Sequence, residues 1–376
     1  MRIAINTRLL LKGKMDGIGW FTAETARHMV LSHPEHQFFF FFDRKPDPEF
    51  IFADNVTPVI LHPQARHPVL WYIYFEWSTV RALKKYNIDL YLSPDGMIPL
   101  HLKIPTLAVI HDLNFEHSKG NLKWYHQYYL SYYYPRFARK ATRIATVSNY
   151  SKDDIANTYC IDSMKIDVVY DGAHSNYRPH TDIEKQAIRE KFTDGCPFLI
   201  FISTIIKRKN LANLLRAFDM VKQQGGHEKL KLVVVGSRVW WQDELAEAYD
   251  ALSCKEDVIM PGHVDSENLA ALLSAAEMLV YPSYFEGFGI PILEAMHAET
   301  PVVASQTTSM PEVGGDAALY IDPTSPEDIA HAINELDNPT LRAQLIEKGR
   351  RQRQKYSWEI TSNLLWDSLM NTFKKS

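Results

Sequence analysis

The residues with the greatest capacity for chemistry stand in one stretch, Tyr281-Pro282-Ser283-Tyr284-Phe285-Glu286-Gly287-Phe288-Gly289-Ile290-Pro291-Ile292-Leu293-Glu294. It begins where a strand pattern ends and runs into a helix pattern. Gly287 and Gly289 allow close backbone approach, and Pro291 suits a first helical turn, where its missing N–H costs nothing. Amides at such a helix start, those of Gly287, Phe288, Gly289 and Ile290, form an anion site for phosphate or sugar oxygens. Glu286 in the loop and Glu294 about one turn into the helix can face one pocket, where carboxylates accept hydrogen bonds from sugar and ribose hydroxyls. Two solvated glutamates on a helix end are the plainer alternative.

Three further groups follow strand patterns. Lys207-Arg208-Lys209-Asn210 comes directly after an apolar run and before an apolar helix, a position from which cations can neutralise a leaving diphosphate; a solvated basic turn is the competing reading. Gly13-Lys14-Met15-Asp16-Gly17-Ile18-Gly19 is a glycine-rich loop after the first strand. It matches neither Gly-x-Gly-x-x-Gly nor Gly-x-x-x-x-Gly-Lys-Ser/Thr, which removes support from a dinucleotide dehydrogenase and from a P-loop NTPase. His111-Asp112 closes another strand pattern, where a histidine can bond a sugar hydroxyl, act as a base, or cap the following turn. No Asp-x-Asp occurs, so Lys, Arg and helix amides, instead of a metal, are expected to stabilise diphosphate charge.

These groups need a scaffold of short strands. In the first half, strand patterns fall at 2–6, 37–43, 89–93, 106–111, 143–148 and 166–170, with helices at 18–32, 71–86 and 124–141. Periodicity breaks at 172–182 and then restarts. Strands are expected at 197–203, 230–236, 258–260, 277–281, 301–305 and 318–322, with helices at 210–222, 244–253, 266–276, 289–297 and 327–336. Short apolar strands of this kind belong to parallel sheets buried on both faces. Two successive β/α series predict an α/β chain with two doubly wound domains facing across a cleft, function being carried by the loops after the strands. A last helix at 358–373 has apolar positions at Ile360, Leu364, Leu365 and Leu369.

Composition sets the boundaries. The chain has 376 residues, 46% hydrophobic and 23% charged, which suits two soluble domains of conventional size. A net charge of −4 gives no general reason to expect nucleic acid as a partner. The three cysteines, Cys160, Cys196 and Cys254, are widely spaced and are read as small buried apolar side chains in a reducing compartment. No leader precedes the first strand pattern and no apolar run approaches the roughly 18 residues of a membrane span, so a cytoplasmic protein is expected.

The four groups, in this order, resemble the retaining GT-B glycosyltransferases of family 4, whose Glu-x₇-Glu hallmark with an embedded Gly-Phe-Gly stands here as Glu286 to Glu294. The likeness extends over nearly the whole chain, through the Gly-Ile-Gly loop, His111-Asp112, 146–151, Arg208-Lys209-Asn210, 261–264 and 301–304. It implies a GT-B fold: a Rossmann-like acceptor domain at 1–178, a Rossmann-like sugar-nucleotide domain at 179–356, and a final helix at about 357–376 that packs back on the first. By resemblance, Lys209 and Arg208 lie near the donor diphosphate, Glu294 holds the ribose, and Glu286 contacts the donor sugar with the amides of Gly287, Phe288 and Gly289. Gly262, His263 and Val264 line the nucleobase, the loop at Gly17 and Gly19 closes over the phosphates, and His111 faces the transferred sugar. Many members carry an additional phosphate-binding arginine in a strand-end Gly-Arg, where this chain has Ser203-Thr204; Arg208 takes over part of that role.

The resemblance implies transfer of a hexosyl unit, with retention, from GDP-mannose or a UDP-sugar to a glycan or lipid-linked acceptor in cell-surface polysaccharide assembly. Lys209, Glu286 and His111 would carry the catalysis, with no cofactor and no metal. Two rivals are a sugar-nucleotide epimerase of the same architecture and a catalytically silent scaffold subunit. The first is disfavoured by Glu-x₇-Glu, and the second by the presence of Lys209, Glu286 and Glu294 together. The aromatic run at 124–134, followed by Arg136, Arg139, Lys140 and Arg143, either packs its helix into its own domain, the favoured reading, or meets a lipid-linked acceptor at the inner membrane face.

Overall fold

In the computed structural model of the chain, residues 1–118, 122–237, 239, 241–262 and 264–374 are described. They divide into two compact units. The first is Met1–Gly172 together with the segment that starts at Ser357, and the second is Ala173–Tyr356. The division thus falls six residues before the sequence-based boundary at 178.

The first unit holds a seven-stranded sheet formed by β1 (Arg2–Asn6), β2 (Gln37–Phe42), β3 (Val56–Ile60), β4 (Leu90–Ser93), β5 (Thr106–Val109), β6 (Arg143–Thr146) and β7 (Ile166–Val168), in the order β3-β2-β1-β4-β5-β6-β7. Every pairing is parallel. Phe38, Phe40 and Phe41 of β2 are fully enclosed, as a sheet covered on both faces requires. β3 escaped the sequence reading because Pro58 interrupts it. As an edge strand it tolerates the missing N–H. The expected helix at 71–86 starts earlier, at Pro68, and runs to Lys85 through a wide π turn at Tyr74–Thr79. Helix Asn149–Tyr159 lay unrecognised inside the family motif, and Cys160 ends it in a left-handed conformation (φ +52°). Cys160 is therefore exposed, contrary to expectation, while Cys254 is buried and Cys196 half-buried.

The final helix, Trp358–Lys374, completes this first unit. Leu365 and Leu369 are fully buried, whereas Ile360 is exposed. The Trp366 ring stacks on His33 at 3.7 Å, and Ser368 Oγ donates to Asp167 Oδ2 at 2.6 Å.

The second unit holds a six-stranded parallel sheet of β8 (Phe198–Ile202), β9 (Lys231–Val235), β10 (Val258–Gly262), β11 (Met278–Tyr281), β12 (Val302–Ser305) and β13 (Leu319–Ile321), in the order β10-β9-β8-β11-β12-β13. β10 runs to Gly262, two residues past the expected end, through an irregularity after Ile259. Helices Asp182–Thr193 and Pro339–Gln352 were not foreseen; the first begins where the stretch read as a domain break ends. In each sheet the strand order reverses at one place, between β1 and β4 and between β8 and β11. Loops that leave these neighbouring strands frame a crevice in which such sheets bind ligands.

Candidate functional site

In the second unit, the loops after β8 and β11 are tied together by their own backbones and by one asparagine. Lys207–Lys209 forms a single tight turn, and Asn210 leaves it with φ +60° to begin helix Leu211–Gln224. The buried Asn210 side chain donates to Pro282 O at 3.0 Å and to Pro323 O at 2.6 Å, while Tyr284 N donates to Arg208 O at 2.9 Å. Gly236, at the end of β9, has φ +149°. A Cβ there would fall 1.8 Å from Ser203 O, so only glycine lets the two strand ends meet.

Glu286 is the centre of the arrangement and is only 7% exposed. Lys209 Nζ lies 2.6 Å from its Oε1, and Arg208 Nη1 lies 3.0 Å from its Oε2. Arg208 also donates to Phe285 O. Tyr281, buried at the end of β11, closes a triangle: Lys209 Nζ donates to its hydroxyl at 3.0 Å, and that hydroxyl donates to Glu286 Oε1 at 2.9 Å. Burial alone would push the Glu286 carboxyl upward, yet Lys209 and Arg208 outweigh it and hold the pKa at about 2. Burial, then the charge of Glu286, pushes the Tyr281 phenol well above its usual value, so it stays a donor. Among the described residues, two basic side chains share this one carboxylate, a local excess of positive charge.

The loop backbone is held from behind. Glu286 N donates to Thr308 Oγ1 at 3.1 Å, and Ser309 Oγ lies 2.9 Å from the carbonyl oxygens of both Glu286 and Phe288, which share its one proton. The chain passes Gly287 and Phe288 and turns at Gly289, whose φ of +103° starts helix Ile290–Ala298 with Pro291 in its first turn. The first amides of a helix have no intrahelical acceptor, which suits this end to an anion.

Glu294, one turn along, behaves in the opposite way from Glu286. Burial raises its carboxyl to about 7, although a hydrogen bond from Tyr177 opposes the shift. The sequence gave no sign of the different ionisation of the two glutamates, which depends on what surrounds each. Tyr177 and Tyr281 were both missed. Tyr177 lies in the stretch read as a break, and Tyr281 was read only as the end of a strand.

Gly262 accepts from Gly236 N at 3.0 Å, which links the end of β10 to the β8 loop through Gly236. Val264 follows it, half-buried. His263 lies outside the described residues.

Gly17, Gly19 and His111 belong to the first unit. Asp16 caps helix Gly17–Ser32 and takes the Gly19 amide at 3.0 Å, so the loop satisfies that amide itself. The His111 ring meets Phe21 of the same helix edge-on at 4.9 Å. His111 Nε2 lies 2.9 Å from Pro94 O; a carbonyl only accepts, so Nε2 carries the proton and Nδ1 keeps a lone pair. Burial lowers its pKa, with Pro94, Asp112 and Asp16 opposing. The result is a neutral imidazole that can accept a hydrogen bond from a hydroxyl.

Residues 15–176 match the family described as Glycosyltransferase Family 4, and residues 182–352 match Glycosyl transferases group 1. The chain is 30% identical to the O-antigen chain mannosyltransferase B of Escherichia coli over 285 residues, covering 74% of this chain and 73% of that one. Sucrose-phosphate synthase from Thermosynechococcus elongatus has a similar fold, with a TM-score of 0.79 at 18% identity and complete coverage of both chains. Anabaena Alr3699/HepE in complex with UDP and glucose has a TM-score of 0.76 at 17% identity, covering 98% of this chain and 99% of that one.

Proposed function

This chain belongs to the GT-B glycosyltransferases, with a Family 4 first half and a group 1 second half, and from that we propose that it transfers a hexosyl unit, mannose first among the candidates, from a nucleotide sugar to a glycan or lipid-linked acceptor in the assembly of a cell-surface polysaccharide. The observation that carries the donor assignment is the surplus positive charge where Lys209 and Arg208 share Glu286, beside the helix that starts at Ile290. A diphosphate arriving there would draw Lys209 and Arg208 onto its oxygens and release Glu286 to the hydroxyls of the sugar. Glu294 would accept from the ribose, and the segment at Gly262 and Val264 would border the base. His111 Nδ1 would accept from a hydroxyl of the transferred sugar.

Catalysis on this reading comes from stabilising the leaving diphosphate with Lys209, Arg208 and helix amides, without a metal, and from holding acceptor and sugar together. Retention would then proceed with the acceptor and leaving group on the same face of the sugar.

The test is a melting-temperature screen of the purified protein against GDP, UDP, ADP and their sugar conjugates, with Mg²⁺ and with EDTA. A nucleotide present at about 100 times its Kd adds about 2.7 kcal/mol, a readable shift. GDP and GDP-mannose raising the melting temperature equally in both buffers would support the reading. Stabilisation only with Mg²⁺ would overturn the metal-free mechanism, and no response to any nucleotide would overturn the donor site. The anomeric coupling of the product, read by NMR, tests retention.

A further inference from the structure

The aromatic helix Trp124–Lys140 divides its rings between two faces. Tyr129 and Phe137 are buried, and Trp71 packs edge-on against Tyr129 at 5.2 Å. On the other face, Trp124, Tyr128, Tyr132 and Arg136 recur every four residues, one above the next. Trp124 is 79% exposed and Tyr128 69%. The Tyr128 and Tyr132 rings stack at 6.1 Å, and the Arg136 guanidinium caps Tyr132 at 3.5 Å from its centroid. The favoured sequence reading, in which the aromatics serve their own domain, accounts for one face only.

The neighbouring helical segment extends this surface. His67 lies 5.2 Å from Tyr125 and Tyr72 lies 6.3 Å from Tyr133, ring to ring, so the two elements are side by side. Val69, Tyr72, Ile73 and Trp77 are all exposed on it. Burying such rings in a soluble core would be the ordinary outcome, and a run of them in water marks a contact surface.

The charge on this surface is one-sided. Acidic residues outnumber basic ones over the whole chain, 45 to 41. Yet helix Trp124–Lys140 contains no Asp or Glu and ends in Arg136, Arg139 and Lys140. The segment 68–85 contributes Arg81, Lys84 and Lys85, all exposed, against one acid, Glu76. Glu76 is turned inward, 5% exposed, and bonded to Leu100 N and His101. The same segment borders a cavity of about 370 Å³ whose lining includes the apolar Val80, Leu83 and Ile104 and the basic Lys84, His101 and Lys103.

From these observations we propose that this face of the first unit docks on an anionic phospholipid bilayer, its Trp and Tyr rings entering the headgroup layer and its basic side chains meeting lipid phosphates. Trp and Tyr favour that layer because each carries an apolar ring with one polar handle. Arg and Lys hold it electrostatically, each worth roughly fivefold in partition at a negatively charged surface. A protein partner of mixed charge would need acids on this face to pair with its own cations, and the exposed face offers none among the residues named. No helix of the described residues is long and apolar enough to cross a membrane, so the contact is peripheral. The inference rests on this surface alone and needs neither donor nor acceptor.

The experiment is co-sedimentation of the full chain with vesicles of phosphatidylglycerol and phosphatidylethanolamine, and with vesicles of phosphatidylcholine alone. Two variants accompany it, Trp124→Ser with Tyr128→Ser, and Arg136→Glu with Lys140→Glu, all at exposed positions, with melting temperatures as the check on folding. Expected is binding to the anionic vesicles that weakens as salt rises from about 0.1 M to about 0.5 M. Each double variant should lose roughly tenfold or more in partition. Wild-type protein that stays in the supernatant with both vesicles overturns the proposal, as do variants that bind like the wild type. Self-association that the aromatic variant abolishes, without vesicle binding, also overturns it and assigns the face to a second copy of the chain. Nucleotide binding is read separately, so failure here leaves the transfer reading standing.

Discussion

The two units place a buried ion pair at the same point of the same architecture, where the strand order reverses, and they use it in opposite ways. In the first unit Arg8, just past β1, meets Asp95, just past β4, with Nε 2.6 Å from Oδ2 and the two side chains 9% and 5% exposed. Asn6 Nδ2, Ser93 Oγ and Met97 N all donate to Asp95 Oδ1, and Arg8 also reaches Ala65 O. One cation meets one anion, both carboxylate oxygens accept hydrogen bonds, and Tyr134 fastens the aromatic helix by donating to Asp95 O at 2.9 Å. In the second unit two cations share Glu286, and the neighbouring Glu294 is pushed toward its neutral form. A balanced, fully bonded pair is a clamp. An unbalanced one keeps capacity for an incoming anion.

That contrast predicts different losses. Arg8→Ala would leave Asp95 buried without its counter-charge and should cost about 3–5 kcal/mol of stability, read as a large fall in melting temperature or as insoluble protein. Lys209→Ala removes surplus charge instead. It should leave the melting temperature within a few degrees but cost about 3 kcal/mol of transition-state stabilisation, a loss of roughly a hundredfold in kcat. If Arg8→Ala melts normally, or Lys209→Ala turns over at the wild-type rate, the distinction between clamp and anion site fails.

Smaller effects sharpen it. The unfolded Glu294 carboxyl loses its proton near 4.5, and the folded one near about 7, so the folded state holds an extra proton in between. Stability associated with this group is therefore present at pH 4.5 and lost as pH rises through 7. The melting temperature should fall by several degrees from pH 5 to pH 8 and should flatten in Glu294→Gln, whose nucleotide affinity should also drop. Tyr281→Phe removes the hydroxyl shared by Lys209 and Glu286. It should cost about 1 kcal/mol, a fall of roughly fivefold in kcat with KM nearly unchanged, because Lys209 and Glu286 remain but are less well positioned.

Much of this was legible in the sequence where local pattern decides. Short apolar runs located the strands on both sides of the break, and glycine, proline and glutamate spacing picked out the loop at 286–294. Pro58 hid β3, since a proline argues against a strand until its place at a sheet edge is known. The partners of Glu286 and Glu294 were harder to foresee. Lys209 is 77 residues from Glu286 along the chain, and Tyr177 reaches Glu294 from a stretch with no periodicity. Which of two similar carboxyls is charged depends on such distant neighbours. The two faces of helix Trp124–Lys140 were likewise invisible, because its aromatics point to both sides and the packing of Trp71 and Phe115 against it separates inside from outside.

The final helix has a consequence for how the molecule is made. Trp358, Trp366 and Ser368 dock on Phe21, His33 and Asp167, all made long before them, and Ser362 Oγ donates to Thr25 O at 3.3 Å. On the ribosome, the whole of the second unit is made before these residues are joined. The first unit, although begun first, must wait with Leu365 and Leu369 missing from its core, so the domain translated first is not completed until the one translated after it has been made.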